Sequence, residues 1–457
     1  MKIDIIVVYS PRYRMGHEMN FFPPITGIHL AALTPQCHDV RVIHQQIQPI
    51  PEETSANLVA ISFFSGFAPE AYRIAHHFKK QGKIVVMGGP HVTFSPKEAL
   101  AHCDAVVIGE AESVWENLLS DAERGVLQQC YFGRPSELSK IPTPRYDLLE
   151  PSFVIPRVLQ ATRGCPFTCT FCSVPVINPG YRTRPIGAVL KDIEYDAFPH
   201  WWQRKVAWFW DDNLTIDRGY IKDLLHSMIP LNKWWLTQAS MDIAKDPELL
   251  ELMQASGCIG VFLGIESFGE ESLKEANKLH NKIKNYRECI KALHRHGIAV
   301  MAGFIAGFDD DTNKSIVEMS DRLMEIGIDV PFLSILTPYK GTALYDRLAE
   351  ENRLIEERGW EFYNGYNVAY QPERMQPGQL LDAHRHLWKR TFAFPNVMKR
   401  LVRHVPTLRT GSILLTLAMN SFYGLKAWRG NTPLDMDSPE GKRRGIITED
   451  EILGMKS

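Results

Sequence analysis

The feature that most limits how this chain can fold is an alternation of short apolar runs with amphipathic helical stretches, punctuated by glycine. From Ile3 to about Arg145 the runs IDIIVVYS, VRVIHQ, NLVAISFFS, KIVVMGG and DAVVIGE read as strands, and ITGIHLAALT, PEAYRIAHHFKKQG and SVWENLLSDAERG as helices. That rhythm predicts a parallel, doubly wound, Rossmann-like sheet, whose ligands sit beyond the strands' C-terminal ends. Gly88-Gly89 followed by Pro90-His91 is an unusual strand ending unless something approaches the backbone there; simple turn residues are the alternative.

Pro135, Pro142, Pro144 and Pro151 mark residues 133–152 as a linker. The rhythm then resumes in VLQATRGC, VAWFWDDN, KWWLTQAS, CIGVFLGIES, IAVMAGFIAGFD and VPFLSILTPYKGT. Six parallel strands, each ending in polar residues, predict a partial (β/α)6 TIM-type barrel with its chemistry on the C-terminal rim. Past Leu348 the pattern turns helical, in MQPGQLLDAHRHLWKRTFAF, NVMKRLVRHV and SILLTLAMNSFYGLKAW, and closes with a polar tail from Asn431 to Ser457. The expectation is therefore an α/β protein in three parts: residues 1–145 with a linker to about 152, a barrel over 153–347, and a mostly helical domain over 348–457 capping the barrel mouth. A length of 457 residues suits that count.

With 51 Lys plus Arg against 53 Asp plus Glu, the net charge of -2 leaves no global footprint for nucleic acid. No run of about 18 apolar residues suggests a spanning helix. The opening MKIDIIVVYSPRYR lacks a small-residue cleavage site and reads as a buried strand, so the expected location is the cytoplasm. Lys389, Arg390, Lys399, Arg400, Arg403 and Arg409 cluster beside the apolar C-terminal run. They make either a solvated helical face or a peripheral contact with an anionic membrane and a lipid-like substrate.

Eight cysteines in 457 residues are too few for a disulfide scaffold. Cys37, Cys103, Cys130, Cys258 and Cys289 are scattered and read as small buried hydrophobes. Cys165, Cys169 and Cys172 lie together on a Gly/Pro-bearing loop, where three thiolates can wrap an iron–sulfur cluster. A structural zinc site would need a fourth ligand, and no other Cys or His is near in sequence. Three ligands leave one iron of a cubane open to something else.

Cys165-x-x-x-Cys169-x-Phe171-Cys172 resembles the signature of the radical S-adenosylmethionine (SAM) superfamily. The resemblance implies a 4Fe-4S cluster whose open iron chelates the amino and carboxylate groups of SAM. One electron, from a donor such as flavodoxin or ferredoxin, then releases a 5′-deoxyadenosyl radical. It also implies SAM-holding positions, Phe171 within the loop and others along the rim. Asp211 and Asp212 would meet the ammonium group, Gln238 and Ser240 the carboxylate or ribose, and Glu266 the ribose hydroxyls. Gly303, Ile305 and Gly307 would form the adenine segment, and Thr337 would close the last strand.

The N-terminal segment is similar to the cobalamin-binding domain that often precedes this module, on Pro24, Gly27, Ser62, Gly88, Gly89, Pro90, His91, Gly109 and Glu110. It lacks the D-x-H-x-x-G motif that supplies an axial histidine, and neither His17 nor His44 has those neighbours. The resemblance thus implies cobalamin held without a histidine ligand, or a docking domain that has lost it. With cobalamin, the implied reaction is methylation of an unactivated carbon of a small-molecule or lipid-like substrate. Cyclisation or rearrangement without methyl transfer is the alternative, and a non-catalytic iron–sulfur or cobalamin sensor a second one.

Overall fold

Continuous Val/Ile-rich runs bury both faces only between layers of helices, and the chain uses them twice in this way. The structure is a computed structural model that describes residues 1–10 and 21–428, so His17 and the tail beyond Trp428 lie outside the described residues. The first sheet comprises β1 (Lys2–Val7), β2 (Asp39–His44), β3 (Leu58–Ser62), β4 (Ile84–Gly88), β5 (Ala105–Ile108) and β6 (Cys130–Phe132). All its pairings are parallel, in the order β2-β1-β3-β4-β5-β6. The helix Ala68–Lys80 carries Pro69 in its first turn and three basic residues in its last. The helix Trp115–Arg124 stops at Gly125, which is left-handed at φ 70°.

Residues 133–152 form two 3-10 turns packed down by buried Leu138, Ile141 and Tyr146, whose hydroxyl donates to Val158 O at 2.9 Å. The run VLQATRGC, expected as one strand, is divided. β7 (Val158–Leu159) joins the second sheet, whereas β8 (Thr162–Arg163) turns off to pair antiparallel with β9 (Arg182–Thr183). The cause is Asp211, whose carboxylate accepts the N–H groups of Ala161 and Thr162 and so pulls the strand end away from the ladder.

Five longer strands complete the second sheet: β10 (Val206–Phe209), β11 (Trp234–Ala239), β12 (Cys258–Glu266), β13 (Ala299–Ala306) and β14 (Val330–Ile335). They run parallel in sequence order from β7 at one edge to β14 at the other, an open barrel of six strands. The helix Ala343–Glu350 follows β14 and runs across the point at 347–348 where the barrel was expected to end.

The C-terminal helices Pro377–Thr391, Phe394–His404 and Thr410–Trp428 do not roof the barrel mouth. Ser412 donates to Gly297 O at 2.7 Å and Asn420 to Asp329 O at 2.9 Å, two carbonyls just before β13 and β14. The last helix therefore plugs the floor of the barrel, at the strands' N-terminal ends. The expected cap is a base, because an open six-stranded barrel leaves apolar surface uncovered there.

The C-terminal cations are not one free patch either. Arg390 pairs with Asp321 at 2.7 Å, Arg400 is buried and donates to Thr391 O at 2.6 Å, and Arg403 and Arg409 donate to backbone carbonyls.

Candidate active site

The two sheets meet through their C-terminal ends. Phe94, just past β4, lies where a Cβ on Gly341 beyond β14 would have to be, with its Cε1 only 2.7 Å from that position. Glu110, just past β5, accepts from Arg163 at 2.8 Å, and Glu112 accepts from the same guanidinium at 2.6 Å. Arg163 directly precedes the cysteine loop, so the first sheet's edge looks onto that loop.

The loop is built by close backbone packing. Gly164 sits at φ 88°, and a Cβ there would lie 2.8 Å from Asn178 O. Asp212 accepts from Gly164 N at 2.8 Å and from Asn178 Nδ2 at 3.1 Å. On the far side Thr170 N donates to Ala276 O at 3.1 Å, and Asn277 donates to Thr168 O at 3.0 Å. Cys165, Cys169 and Cys172 are half-buried free thiols. Burial raises all three thiol pKa values, Cys172 to about 12, while Lys278 pulls those of Cys165 and Cys169 back down.

Several rim residues converge on this loop. Glu266 ends β12 in the left-handed region at φ 67° and pairs with Lys278, whose side chain is 13% exposed. Burial disfavours the Lys278 charge, yet Glu266 and the thiols of Cys169 and Cys172 hold its pKa above the usual value. Gly303 faces the same interior, its missing Cβ pointing at Phe262 and, 3.7 Å away, at Glu266 Oε2. Asn213 donates to Ser240 Oγ at 2.7 Å and also bonds Cys165. Gln238 is half-buried at the end of β11, Ile305 is buried in β13, and Phe171 packs from the loop onto the core.

Other expected ligands are spent inside the fold. Asp211 is buried, with its pKa pushed up to about 7 by desolvation, and it accepts two N–H groups and the Thr162 hydroxyl. It anchors the strand end and presents nothing to an ammonium group. The open side of Gly307 is filled by Tyr370, whose hydroxyl donates to Gly307 O. Thr337 accepts from Gly365 N at 3.2 Å and donates to Ile335 O at 3.0 Å.

The same sorting applies to the first sheet. Gly27 is a packing glycine, since a Cβ there would come within 2.7 Å of Val42. Gly88 has only ordinary contacts and needs no glycine, whereas Gly89 at φ 101° would bring a Cβ to 2.9 Å from Phe63 O. Gly109, at φ 83°, would collide with Gly133 O at 2.8 Å. Pro24 precedes the helix Ile25–Leu33 and accepts from His44 Nε2 at 3.2 Å; Pro90 opens the short helix Pro90–Phe94. His91 is buried between Tyr72 at 3.0 Å and Ser65 at 3.1 Å, with burial lowering its pKa to about 4. Glu110 is an ion-pair node with Arg163 and Arg182 and accepts from Ser136 N at 2.9 Å. What stays available along this edge is half-buried Ser62 and Phe64, which is 60% exposed. Trp210 faces outward from the end of β10, with Phe22 4.9 Å from its ring.

Three family descriptions match the chain: "Radical SAM superfamily" over residues 159–323, "B12 binding domain" over 27–119, and a domain of unknown function, DUF4070, over 342–427. It is 34% identical over 390 residues to the bacteriochlorophyllide d C-12(1)-methyltransferase of Chlorobaculum tepidum, covering 83% of this chain and 84% of that protein. The chain belongs to the B12-binding radical SAM family. It is also 25% identical over 410 residues to the anaerobic magnesium-protoporphyrin IX monomethyl ester cyclase of Cereibacter sphaeroides, covering 81% of this chain and 64% of that protein. In fold it matches the cobalamin-dependent SAM radical enzyme OxsB, solved with aqua-cobalamin and SAM, at TM-score 0.67 and 14% identity over 99% of this chain and 82% of that one.

A radical SAM enzyme of this kind uses a 4Fe-4S cluster, SAM and cobalamin. The donor set fits a cluster better than a single ion. Tetrahedral zinc at about 2.3 Å would draw its sulfurs to about 3.8 Å from one another. The three thiols are not drawn into so tight a group, whereas His294, Asp329 and His404 at the barrel floor are. For the corrinoid, both ring nitrogens of His91 are hydrogen-bonded, and His44 bonds Pro24 O through Nε2 while its unpartnered Nδ1 is buried, so neither turns a free ring nitrogen outward. Flat apolar Phe64 and Trp210 at the opposed edges suit a macrocycle held by contact and not by a histidine bond.

Lys278 escaped the sequence reading because a lone lysine twelve residues after Glu266 carries no periodic signal. Asn213 directly follows the acidic pair at the end of β10, and nothing in its spacing singles it out.

Proposed function

We propose that this radical SAM enzyme methylates an unactivated carbon of a flat, largely apolar small molecule of the tetrapyrrole class. The observation that carries the reading is the opposition of the two C-terminal edges, with Glu110 and Glu112 clamping Arg163 beside the cysteine loop. A donor on the first sheet and a reacting carbon at the barrel mouth would then share one enclosed space. The relative's bacteriochlorophyllide substrate supports the tetrapyrrole class.

In this reading Cys165, Cys169 and Cys172 hold the cluster, and Lys278 offsets its negative charge while fixing Glu266 toward the ribose. Asp212, Gln238, Ser240 and Asn213 line the amino-acid end of SAM, and Gly303 and Ile305 the adenine end. Asp211, Gly307 and Thr337 position these without touching the cosubstrate. Ser62, Gly89 and Gly109 shape the corrinoid edge. When bound, these cofactors supply one-electron cleavage of SAM and a nucleophilic carrier for a methyl group. The electron would come from a small carrier protein such as flavodoxin or ferredoxin. The protein's own share is exclusion of water and orientation.

Anaerobically reconstituted enzyme given SAM, reductant and a bacteriochlorophyllide should release 5′-deoxyadenosine and S-adenosylhomocysteine together. Release of 5′-deoxyadenosine alone would favour the cyclisation that the protoporphyrin relative suggests. Glu266→Gln should keep the cluster absorbance and weaken SAM binding by about tenfold, the worth of one charge-assisted hydrogen bond.

A further inference from the structure

The described residues expose eighteen large apolar side chains, and eight of them crowd into Phe394–Trp428, less than a tenth of the chain. On the helix Phe394–His404 these are Phe394 (76% exposed), Met398 and Val402 (65%), with Val405 just past its end. On the helix Thr410–Trp428 they are Leu414, Leu417, Leu425 and Trp428 (83%), on the side opposite Leu415, Met419 and Tyr423, which plug the barrel. A helix that is apolar on both sides belongs between two apolar layers, and the described residues supply only one of them.

Charge says what the other layer is. From Ala383 to Trp428 the sequence holds eight Lys or Arg and no Asp or Glu, in a chain whose total is nearly balanced. Two of these cations meet carboxylates, Arg390 that of Asp321 and Arg385 that of Asp382. Lys389, Lys399 and Arg403 are exposed, and Arg403 donates only to the Met324 carbonyl. A second copy of this face would set like charges against each other, whereas an anionic surface would be matched. No helix among the described residues is long and apolar enough to cross a membrane, so the contact lies in the plane of the surface.

We infer that the helices Phe394–His404 and Thr410–Trp428 seat this enzyme on an anionic lipid bilayer, apolar side chains in the interface and Lys389, Lys399 and Arg403 at the headgroups. Because the last helix plugs the barrel floor, the cysteine loop then faces away from the lipid. The inference goes beyond the proposed reaction and does not depend on it.

Full-length, anaerobically purified protein is floated with vesicles of phosphatidylglycerol and phosphatidylcholine at low salt, and with phosphatidylcholine alone. Wild type should float with the anionic vesicles, far less with the neutral ones, and come off as salt rises. The exposed-face pair Leu417→Glu and Leu425→Glu should cut the bound fraction at least about tenfold. Lys389→Glu with Lys399→Glu should do the same on anionic vesicles and change nothing on neutral ones. Unchanged cluster absorbance in each variant reports an intact fold. Failure of wild type to float, or variants floating equally well, overturns the inference. So does a dimer in vesicle-free buffer that Leu417→Glu dissociates while wild type ignores vesicles.

Discussion

The two sheets are built alike and use their edges differently. Each has six parallel strands, and each was expected to hold a cofactor through residues just past the strand ends. At the barrel rim many of those residues converge: the cysteine loop, Glu266, Ser240 and Gly303 share one interior, tied by Lys278 and Asn213. At the first sheet most are consumed by the fold: Gly27 in helix packing, His91 between Tyr72 and Ser65, Glu110 in ion pairs. A cluster bound through covalent ligands leaves a spacing in the sequence. A macrocycle held by contact with backbone and flat side chains leaves glycines, and glycines also serve turns and close packing.

The widest test of this difference is all-or-none. Cys165→Ala, Cys169→Ala or Cys172→Ala should each abolish the brown cluster absorbance and all 5′-deoxyadenosine release. Corrinoid retained on the first sheet should be unaffected, read by its own absorbance after removal of unbound cobalamin. Loss of both in one variant would show that the edges are not separable.

The link between the edges comes next in size. Glu110→Ala leaves Arg163 and Arg182 partly uncompensated in a buried place, which typically costs about 3–5 kcal/mol. Burial alone would raise the Glu110 pKa, but the two guanidiniums hold it below the usual value, so the carboxylate is ionised at neutral pH. Denaturant unfolding followed by tryptophan fluorescence should show that loss, and 5′-deoxyadenosine should fall even though no cluster ligand has changed. Full stability in the variant would remove the clamp from the account.

Much of the architecture was legible because periodicity reports it directly: five strands of the first sheet, the strands of the second and the cysteine loop follow from apolar runs and spacing, whereas the three-residue β6 is too short to leave such a run. What could not be read was decided by tertiary contact. Asp211 looked like a ligand and proved to be the hook that turns β8 out of the sheet, because capture of two backbone N–H groups has no sequence pattern. The C-terminal helix was plainly apolar, but apolarity does not say which end of a barrel it closes; Ser412 and Asn420 do. Gly88 and Gly89 looked equivalent, and only the backbone separates them.

Acid should distinguish the sheets more gently. His44 ends β2 and His29 lies on the helix Ile25–Leu33 beside that sheet; both are buried, and desolvation lowers both pKa values from 6.5 to about 4. Below pH 6.5 the unfolded chain takes up protons that the folded chain refuses, so stability falls as pH drops from 6.5 toward 4. The slope is at most about 1.4 kcal/mol per pH unit for each histidine. With His91 the first domain has three such histidines against His280 and His404 at the barrel, so hydrogen exchange across that window should open β1–β3 somewhat earlier than β11–β13. His44→Gln, which keeps a donor for Pro24 O, should flatten the slope.

The finest test separates the twin glycines. Gly89→Ala puts a Cβ 2.9 Å from Phe63 O in a left-handed residue, a strain of about 1–3 kcal/mol, and should shift the turn that borders the corrinoid edge. Gly88→Ala meets only Val107 at 3.6 Å, an ordinary contact, and should change stability by no more than about 0.5 kcal/mol. Cobalamin titrations of the two variants carry the comparison further. If the edge holds the macrocycle through backbone shape, affinity should drop for Gly89→Ala alone. An equal drop in both would mean that the cofactor reaches Gly88 itself, and that the strand end, and not the turn after it, forms the contact.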